Sequence, residues 1–266
     1  MSLTYRKTKT ILDDICDNKV LEVEKRMSAN PLEVLKEKIK TNGFEKRDFY
    51  AALANPGLSL IAEIKYSSPS AEGRIFSSVK PEKIAKTYEK NGARAISVLT
   101  DEKFFLGKLE FISRVRAACN LPILRKDFII HPYQLYEAKA CGADAVLLIA
   151  SILKKTRLKE LYSLAGELGL DVLMEIHDAH ELKTTLERAP KIIGINNRDL
   201  KTMKIDLNTF SRLSKLIPAN IIKVAESGIK TREDAEQMRK SGADAILVGA
   251  TLMQAKDIGK IIDTLI

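Results

Sequence analysis

From about residue 58 onward, short runs of apolar and β-branched residues alternate with longer segments in which apolar side chains recur every three or four positions. The short runs fall at 60–65, 95–99, 122–125, 145–150, 172–176, 192–196, 221–225 and 245–248. Near-continuous apolar runs suit strands covered on both faces, and the amphipathic segments between them suit helices. The pattern therefore predicts repeated βα units around a parallel sheet. Eight such units predict an α/β fold, a (β/α)8 TIM barrel. A doubly wound open sheet has the same alternation, but it usually carries Gly-x-Gly-x-x-Gly after its first strand. Nothing of that kind follows Lys65.

Self-similar junctions support the count. Asn91-Gly-Ala-Arg-Ala95, Cys141-Gly-Ala-Asp-Ala145 and Ser241-Gly-Ala-Asp-Ala245 each lead from a helical segment into a strand, with glycine suited to a left-handed helix C-cap. Gly92, Gly142 and Gly242 lie 50 and 100 residues apart, two and four multiples of a unit of about 25 residues. Pro81 is placed for the first turn of a helix, and Thr231 to Asp234 reads as a capping box. Residues 1–50 lack the alternation. They predict helices over 11–24 and 31–40, followed by an apolar segment at 47–53. This stretch is too short and too charged for a core of its own, so we expect an N-terminal helical extension packed on the barrel, with residues 51–266 as the catalytic domain.

Composition narrows the function. The 266 residues are 45% hydrophobic and carry a formal net charge of +9, with a pI near 9.3. That charge would suit a nucleic-acid binder, but the lysines are spread along amphipathic segments without interleaved aromatics. We read them as solvated helix faces and expect no nucleic-acid partner. A positive field would also steer a small anionic substrate. Cys16, Cys119 and Cys141 are odd in number and form no Cys-x-x-Cys, which predicts reduced thiols. No segment has the apolar block of a signal peptide or membrane span, so the expectation is a cytoplasmic protein with no membrane partner, monomeric or weakly self-associating.

The candidate chemistry sits where the apolar runs end. Ile61 to Ser70 collects Glu63, Lys65 and Ser68, and side chains two apart on a strand share a face. The third run ends at Lys126, the fifth at Glu175, the sixth at Asn196 with Arg198 following, and the seventh at Glu226 and Ser227. In a (β/α)8 barrel these positions ring one rim. Each charge taken singly could be a salt bridge closing the barrel. Burying the whole set costs several kcal/mol per ion unless the ions are paired, which favours a polar active site. Ser227-Gly228-Ile229 and Gly249-Ala250-Thr251 follow adjacent strands and could aim backbone N–H groups at a phosphate. His177 and His180 would lie on an exposed first turn of the fifth helix, and His131 is the only other histidine, so no metal is expected. The chain has no Ser/His/Asp elbow, P-loop or dinucleotide fingerprint.

These residues resemble one family, indole-3-glycerol phosphate synthase. The resemblance rests on Glu63-Ile-Lys65-Tyr-Ser-Ser68-Pro-Ser70, Leu99 to Phe105, Leu124-Arg-Lys126-Asp-Phe128, Leu173-Met-Glu175, Ile195 to Leu200, Ala225 to Ile229 and Val248-Gly249. It implies conversion of 1-(2-carboxyphenylamino)-1-deoxyribulose 5-phosphate to indole-3-glycerol phosphate in tryptophan biosynthesis, a carboxy-lyase reaction needing no cofactor or metal. It also implies that Lys126 is the general acid of ring closure and that Glu175 assists departure of the hydroxyl, with Glu63 and Lys65 sharing proton transfer. Arg198, Asn196, Ser68 and Glu226 would contact the substrate, Phe105, Phe128 and Leu147 would pack on its aromatic ring, and Ser227, Gly228, Gly249 and Ala250 would grip phosphate. The chain departs from the family pattern between Ser68 and Gly73, which is one residue longer and lacks a lysine, and at Tyr66 and Ala250. Two other readings stand beside this one: a Schiff-base sugar-phosphate aldolase using Lys126, and a non-catalytic barrel binding RNA.

Overall fold

The computed structural model describes residues 3–69 and 79–266. Eight strands form a closed barrel: β1 (Ser59–Ile64), β2 (Ala95–Leu99), β3 (Ile123–Lys126), β4 (Ala145–Ile149), β5 (Asp171–Ile176), β6 (Ile192–Asn196), β7 (Ile222–Glu226) and β8 (Ala245–Val248). Every pair is parallel, and β8 pairs with β1, so the ring has no edge and the open-sheet alternative is excluded. Three helices precede the barrel: α1 (Ile11–Ala29), α2 (Leu32–Asn42) and α3 (Phe49–Leu53). Those of the outer layer are α4 (Pro81–Lys90), α5 (Glu110–Ala118), α6 (Pro132–Cys141), α7 (Lys155–Glu167), α8 (Ala179–Leu186), α9 (Asn208–Leu213), α10 (Arg232–Lys240), α11 (Ala250–Met253) and α12 (Ile258–Leu265). All eight apolar runs are strands, displaced by at most one residue at either end.

Local chemistry explains several boundaries. Pro81 occupies the first turn of α4, and Thr231 forms a reciprocal capping box with Asp234 at the start of α10. Gly92, Gly142 and Gly242 all take positive φ. The repeated Gly-Ala-Asp junction has a second role, because its aspartate ties the strand before it to the ring. Asp144 accepts the backbone N–H of Ile123 at 2.9 Å, and Asp244 accepts that of Lys223 at 2.8 Å. Each carboxylate thereby staples the start of one strand to the start of the next.

Leu12, Ile15 and Cys16 of α1 and Phe49 and Leu53 of α3 share one apolar cluster with the strands. The contact at α1 is also ionic. Lys19 is fully buried, with its Nζ 2.8 Å from Asp127, 3.0 Å from Asp101 and 2.9 Å from Glu22. Asp127 also pairs with buried Arg125 at 2.9 Å and accepts the Thr100 hydroxyl at 2.6 Å. The two aspartates in turn hold the loops after β2 and β3, since Asp101 accepts the N–H of Phe104 and Asp127 that of Phe128, both at 2.8 Å. Among the described residues no helix is long and apolar enough to cross a membrane.

Removing Lys19 would leave two buried carboxylates short of a partner. Lys19→Met is expected to lower unfolding free energy by about 3–5 kcal/mol, the cost of breaking a buried ion pair from one side. Urea denaturation at neutral pH checks it, and a loss of under roughly 1 kcal/mol would show the network to be energetically neutral.

Candidate active site

Parallel closure brings the strand ends to one rim. Lys126, Asn196 and Glu226 are the last residues of β3, β6 and β7, while Glu63 and Glu175 stand one place before the ends of β1 and β5. The register places Asn196 beside Glu226 and Glu63 beside Ser97. Residues scattered over the chain thus converge on the C-terminal mouth, as the apolar pattern requires.

An ion cluster occupies that mouth. The Lys126 Nζ lies 3.5 Å from Glu63 Oε2 and 3.6 Å from Glu226 Oε2. The Lys65 Nζ lies 3.2 Å from the other oxygen of Glu63. Glu175 accepts from Asn196 Nδ2 at 3.2 Å, and the same oxygen is 3.2 Å from His177 Nε2. All three carboxylates are buried.

The environments drive these groups apart. Burial alone would push the Lys126 ammonium down, but Glu63, Glu226 and Glu175 outweigh it and the net shift is upward. Burial opposes ionisation of Glu63, and Lys65 and Lys126 more than offset it, leaving that carboxyl below its ordinary range. At Glu175 burial is likewise overcome, chiefly by His177 and then Lys126, and the carboxyl falls to about 2. Glu226 goes the other way. Burial and the neighbouring Glu175 raise it to about 8 against the pull of Lys126, and neither of its oxygens accepts a hydrogen bond. Around the Lys126 ammonium the cluster therefore holds two carboxylates and one carboxylic acid at neutral pH.

Two glycines make room for it. A Cβ on Gly194 of β6 would collide with Glu226 Oε1, and a Cβ on Gly249 would collide with Glu63 Oε1. Glycine at these positions answers the close approach of a side chain.

The cavity above the cluster is lined by Lys65, Ser68, Phe105, Phe128, Leu147 and Arg198, joined by Lys126, Glu175, Asn196 and Ser227. Phe105 and Phe128 form one wall, with ring centroids 5.8 Å apart at 36°. Arg198 donates its backbone N–H to Asn196 Oδ1 and its guanidinium to the Met203 carbonyl, each at 3.0 Å. Among the described residues no carboxylate pairs with that guanidinium. Burial lowers its pKa. Ser227 and Gly228 both take positive φ after β7, and the Thr251 hydroxyl donates to the Ile229 carbonyl at 2.8 Å, joining this loop to the one after β8. Gly249 and Ala250 open α11 in that second loop. Tyr66 turns away from the mouth and packs on Phe111, its hydroxyl donating to the Val79 carbonyl at 2.6 Å. Ser70 to Gly73, part of the loop in which the chain departs from the family pattern, lie outside the described residues.

One expectation is corrected. His180 is exposed in the first turn of α8, but His177 precedes that helix and is nearly buried between Glu175 and Glu181. The signal was its spacing: Glu175-x-His177 repeats the two-residue step of Glu63-x-Lys65, which turns a strand-end acid and a cation the same way. Ile11, Leu12 and Ile15 of α1 also line the cavity, and sequence reading did not place them there.

The titration of Glu226 has a measurable consequence. Its folded value of about 8 exceeds the ordinary 4.5, so the stability it contributes is present at low pH and is lost as pH rises through about 8. Glu226→Gln cannot suffer that loss. Its stability relative to the parent should grow across this interval and then level off, as read from urea midpoints. A difference independent of pH would mean that Glu226 is ionised throughout.

Comparison with known proteins agrees with this geometry. The family profile described as Indole-3-glycerol phosphate synthase matches residues 12–265. A relative of that name from Acetivibrio thermocellus is 46% identical over 252 residues, covering 94% of this chain and 96% of its own. Another, from a Thermoanaerobacter species, is 48% identical over 254 residues, covering 95% and 96%. Among solved structures, an N-acetylmannosamine-6-phosphate 2-epimerase from Clostridium perfringens superposes with a TM-score of 0.61 at 17% identity, over 81% of this chain and 95% of its own. A thiamine phosphate pyrophosphorylase from Pyrococcus furiosus gives 0.58 at 17%, over 78% and 93%. At that identity the two structures share the barrel and nothing more specific. With nearly its whole length matched, the chain belongs to the indole-3-glycerol phosphate synthase family.

Proposed function

We propose that this protein carries out the reaction of its family, closing the indole ring of 1-(2-carboxyphenylamino)-1-deoxyribulose 5-phosphate with loss of carbon dioxide and water. The observation that carries the reading is the Lys126 ammonium, held charged among three carboxyl groups at the floor of a cavity walled by two phenylalanines. Ring closure needs a proton on the ribulose carbonyl oxygen while the aromatic carbon bearing the carboxylate attacks the carbonyl carbon. Lys126 supplies that proton. The carboxylate then leaves as carbon dioxide, its bonding electrons returning to the ring, and restored aromaticity drives the step. In the dehydration that follows, the new hydroxyl departs as water and the adjacent carbon loses a proton. Glu175, held as a carboxylate, takes that proton in place of the hydroxyl-departure role that the resemblance implies for it, and Lys65, ion-paired with Glu63, protonates the departing hydroxyl.

The remaining residues orient the substrate. Arg198, whose guanidinium meets no carboxylate among the described residues, offers a fork to the anthranilate carboxylate, with Asn196 and Ser68 beside it. Phe105, Phe128 and Leu147 hold the aromatic ring, and Glu226, as a neutral acid, can donate a hydrogen bond to a sugar hydroxyl. The linked loops of Ser227, Gly228, Gly249 and Ala250 receive the phosphate through backbone N–H groups. Much of the rate then comes from positioning, because both reacting carbons belong to one molecule that must be folded onto itself.

The electrostatics disfavour the aldolase reading. An imine-forming lysine needs a free amine, which desolvation without nearby carboxylates provides, and here three carboxyl groups raise Lys126 instead. We further propose that the protein works in the cytoplasm without nucleic acid, as a monomer or weak oligomer, a reading supported by its three free thiols and dispersed basic residues.

Lys126→Ala is expected to abolish turnover with the fold intact, and Glu175→Gln to slow it by about 10² or more, the scale of general acid–base catalysis. Indole fluorescence follows both from the anthranilate-ribulose phosphate. Near-parent rates in the two variants would sink these assignments.

A further inference from the structure

His177 has no part in the scheme above, yet it is held from both sides. Its Nδ1 lies 3.1 Å from Glu181 Oε2, and its own backbone N–H donates to the same oxygen at 2.8 Å. On the far side, Nε2 lies 3.2 Å from Glu175 Oε1. Glu181 is itself fixed, since its backbone N–H donates to Asp178, the N-cap of α8, at 2.8 Å. A carboxylate in hydrogen-bond contact with Nδ1 and another within ion-pair distance of Nε2 favour the imidazolium, the form that carries a proton on both nitrogens. The ring is thus a nearly buried cation placed behind a carboxylate that faces the substrate cavity.

We infer that His177 is a positioning residue for the dehydration half of the reaction: clamped by Glu181, it fixes Glu175 from behind and supplies the positive charge that lets Glu175 face the cavity as a bare carboxylate. The inference rests on the role given to Glu175 above. Two further observations support it. Burial would push the His177 imidazolium down, but Glu175 and Glu181 overcome this and raise it to about 10, so the ring stays charged across the working range. Glu175 also needs the help, because Glu226 and Glu63 share the floor with it and Lys126 must serve all three.

Other charges face the ring at greater remove. Arg6 and Lys7 come from the N-terminal segment and Asp178 from its own loop; Arg198, Asp199 and Lys201 follow β6, and Arg212 lies on α9. Among the described residues only Glu181 and Glu175 pair with the imidazole.

The test compares pH profiles of kcat/KM for the parent, His177→Gln, Glu181→Gln and Glu175→Gln, each checked for fold by circular dichroism. Loss of the imidazolium raises Glu175 toward an ordinary carboxyl, so the acid limb of His177→Gln moves to higher pH. Its kcat/KM at about pH 3.5, one unit below the ordinary 4.5, should fall roughly tenfold further relative to about pH 7.5 than in the parent, whose Glu175 at about 2 stays ionised there. Glu181→Gln should move the limb in the same direction by less, and it keeps the inference testable if His177→Gln does not fold. A limb that stays in place in either folded variant overturns the inference, however far kcat has dropped. Glu175→Gln separates the two readings. If it retains near-parent activity, the role of Glu175 fails; if it is slow while the other profiles run parallel to the parent, only the role of His177 fails.

Discussion

One ammonium shared by three carboxyl groups is the interaction on which the rest of the mouth depends. In a desolvated site three carboxyl groups around Lys126 cannot all ionise, so their environments must differ. The structure separates them by giving each a different second partner. Glu63 has Lys65, Glu175 has His177 and Asn196, and among the described residues Glu226 has neither a second ion-paired cation nor a hydrogen-bond donor. The result is one ammonium shared by two anions and a neutral acid within one cavity, the set of states that the proposed condensation and dehydration call for. Only a closed ring of parallel strands brings these ends together, so closure of β8 onto β1 is part of the chemistry as well as of the fold.

The residues flanking Lys126 show how the cluster is braced. Strand alternation turns Lys126 toward the barrel axis and sends Arg125 and Asp127 outward, where both are buried in a second ion network with Lys19 of α1 and Glu137 of α6. That outer network costs desolvation and returns order. Through Asp101 and Asp127 it holds the backbone beside Phe105 and at Phe128, the two rings that wall the cavity. Helix α1 therefore acts on the site twice, through Lys19 behind the wall and through Leu12 and Ile15 in the cavity itself.

Much of this was legible in the chain, for a physical reason. A strand buried on both faces tolerates charge only at its ends, so Glu63, Lys126, Glu175 and Glu226 stand out against apolar runs, and the barrel topology says that they meet. His177 was misjudged because it was grouped with the helix after it instead of the strand before it. Lys19 could not be found this way, since α1 carries two lysines and nothing local says that Lys19 turns inward while Lys25 stays exposed. Gly194 is harder still. A glycine inside a strand signals some close approach, but its partner, the Glu226 side chain, belongs to the neighbouring strand and becomes visible only in three dimensions.

The choice of reaction on such a barrel comes down to what surrounds the lysine. The fold supplies a rim and loops that can take a phosphate, and many unrelated reactions use that same frame. A lysine at the end of the third strand in apolar surroundings would lose its proton readily and attack a carbonyl as an amine. Surrounded by carboxyl groups it keeps the proton, as the general-acid role proposed for Lys126 requires. Which of these occurs is decided by Glu63, Glu175 and Glu226 on three other strands, and by Gly194 and Gly249, which leave Glu226 and Glu63 the space to approach. The identity of the enzyme is therefore carried less by Lys126 itself than by the residues that keep it charged.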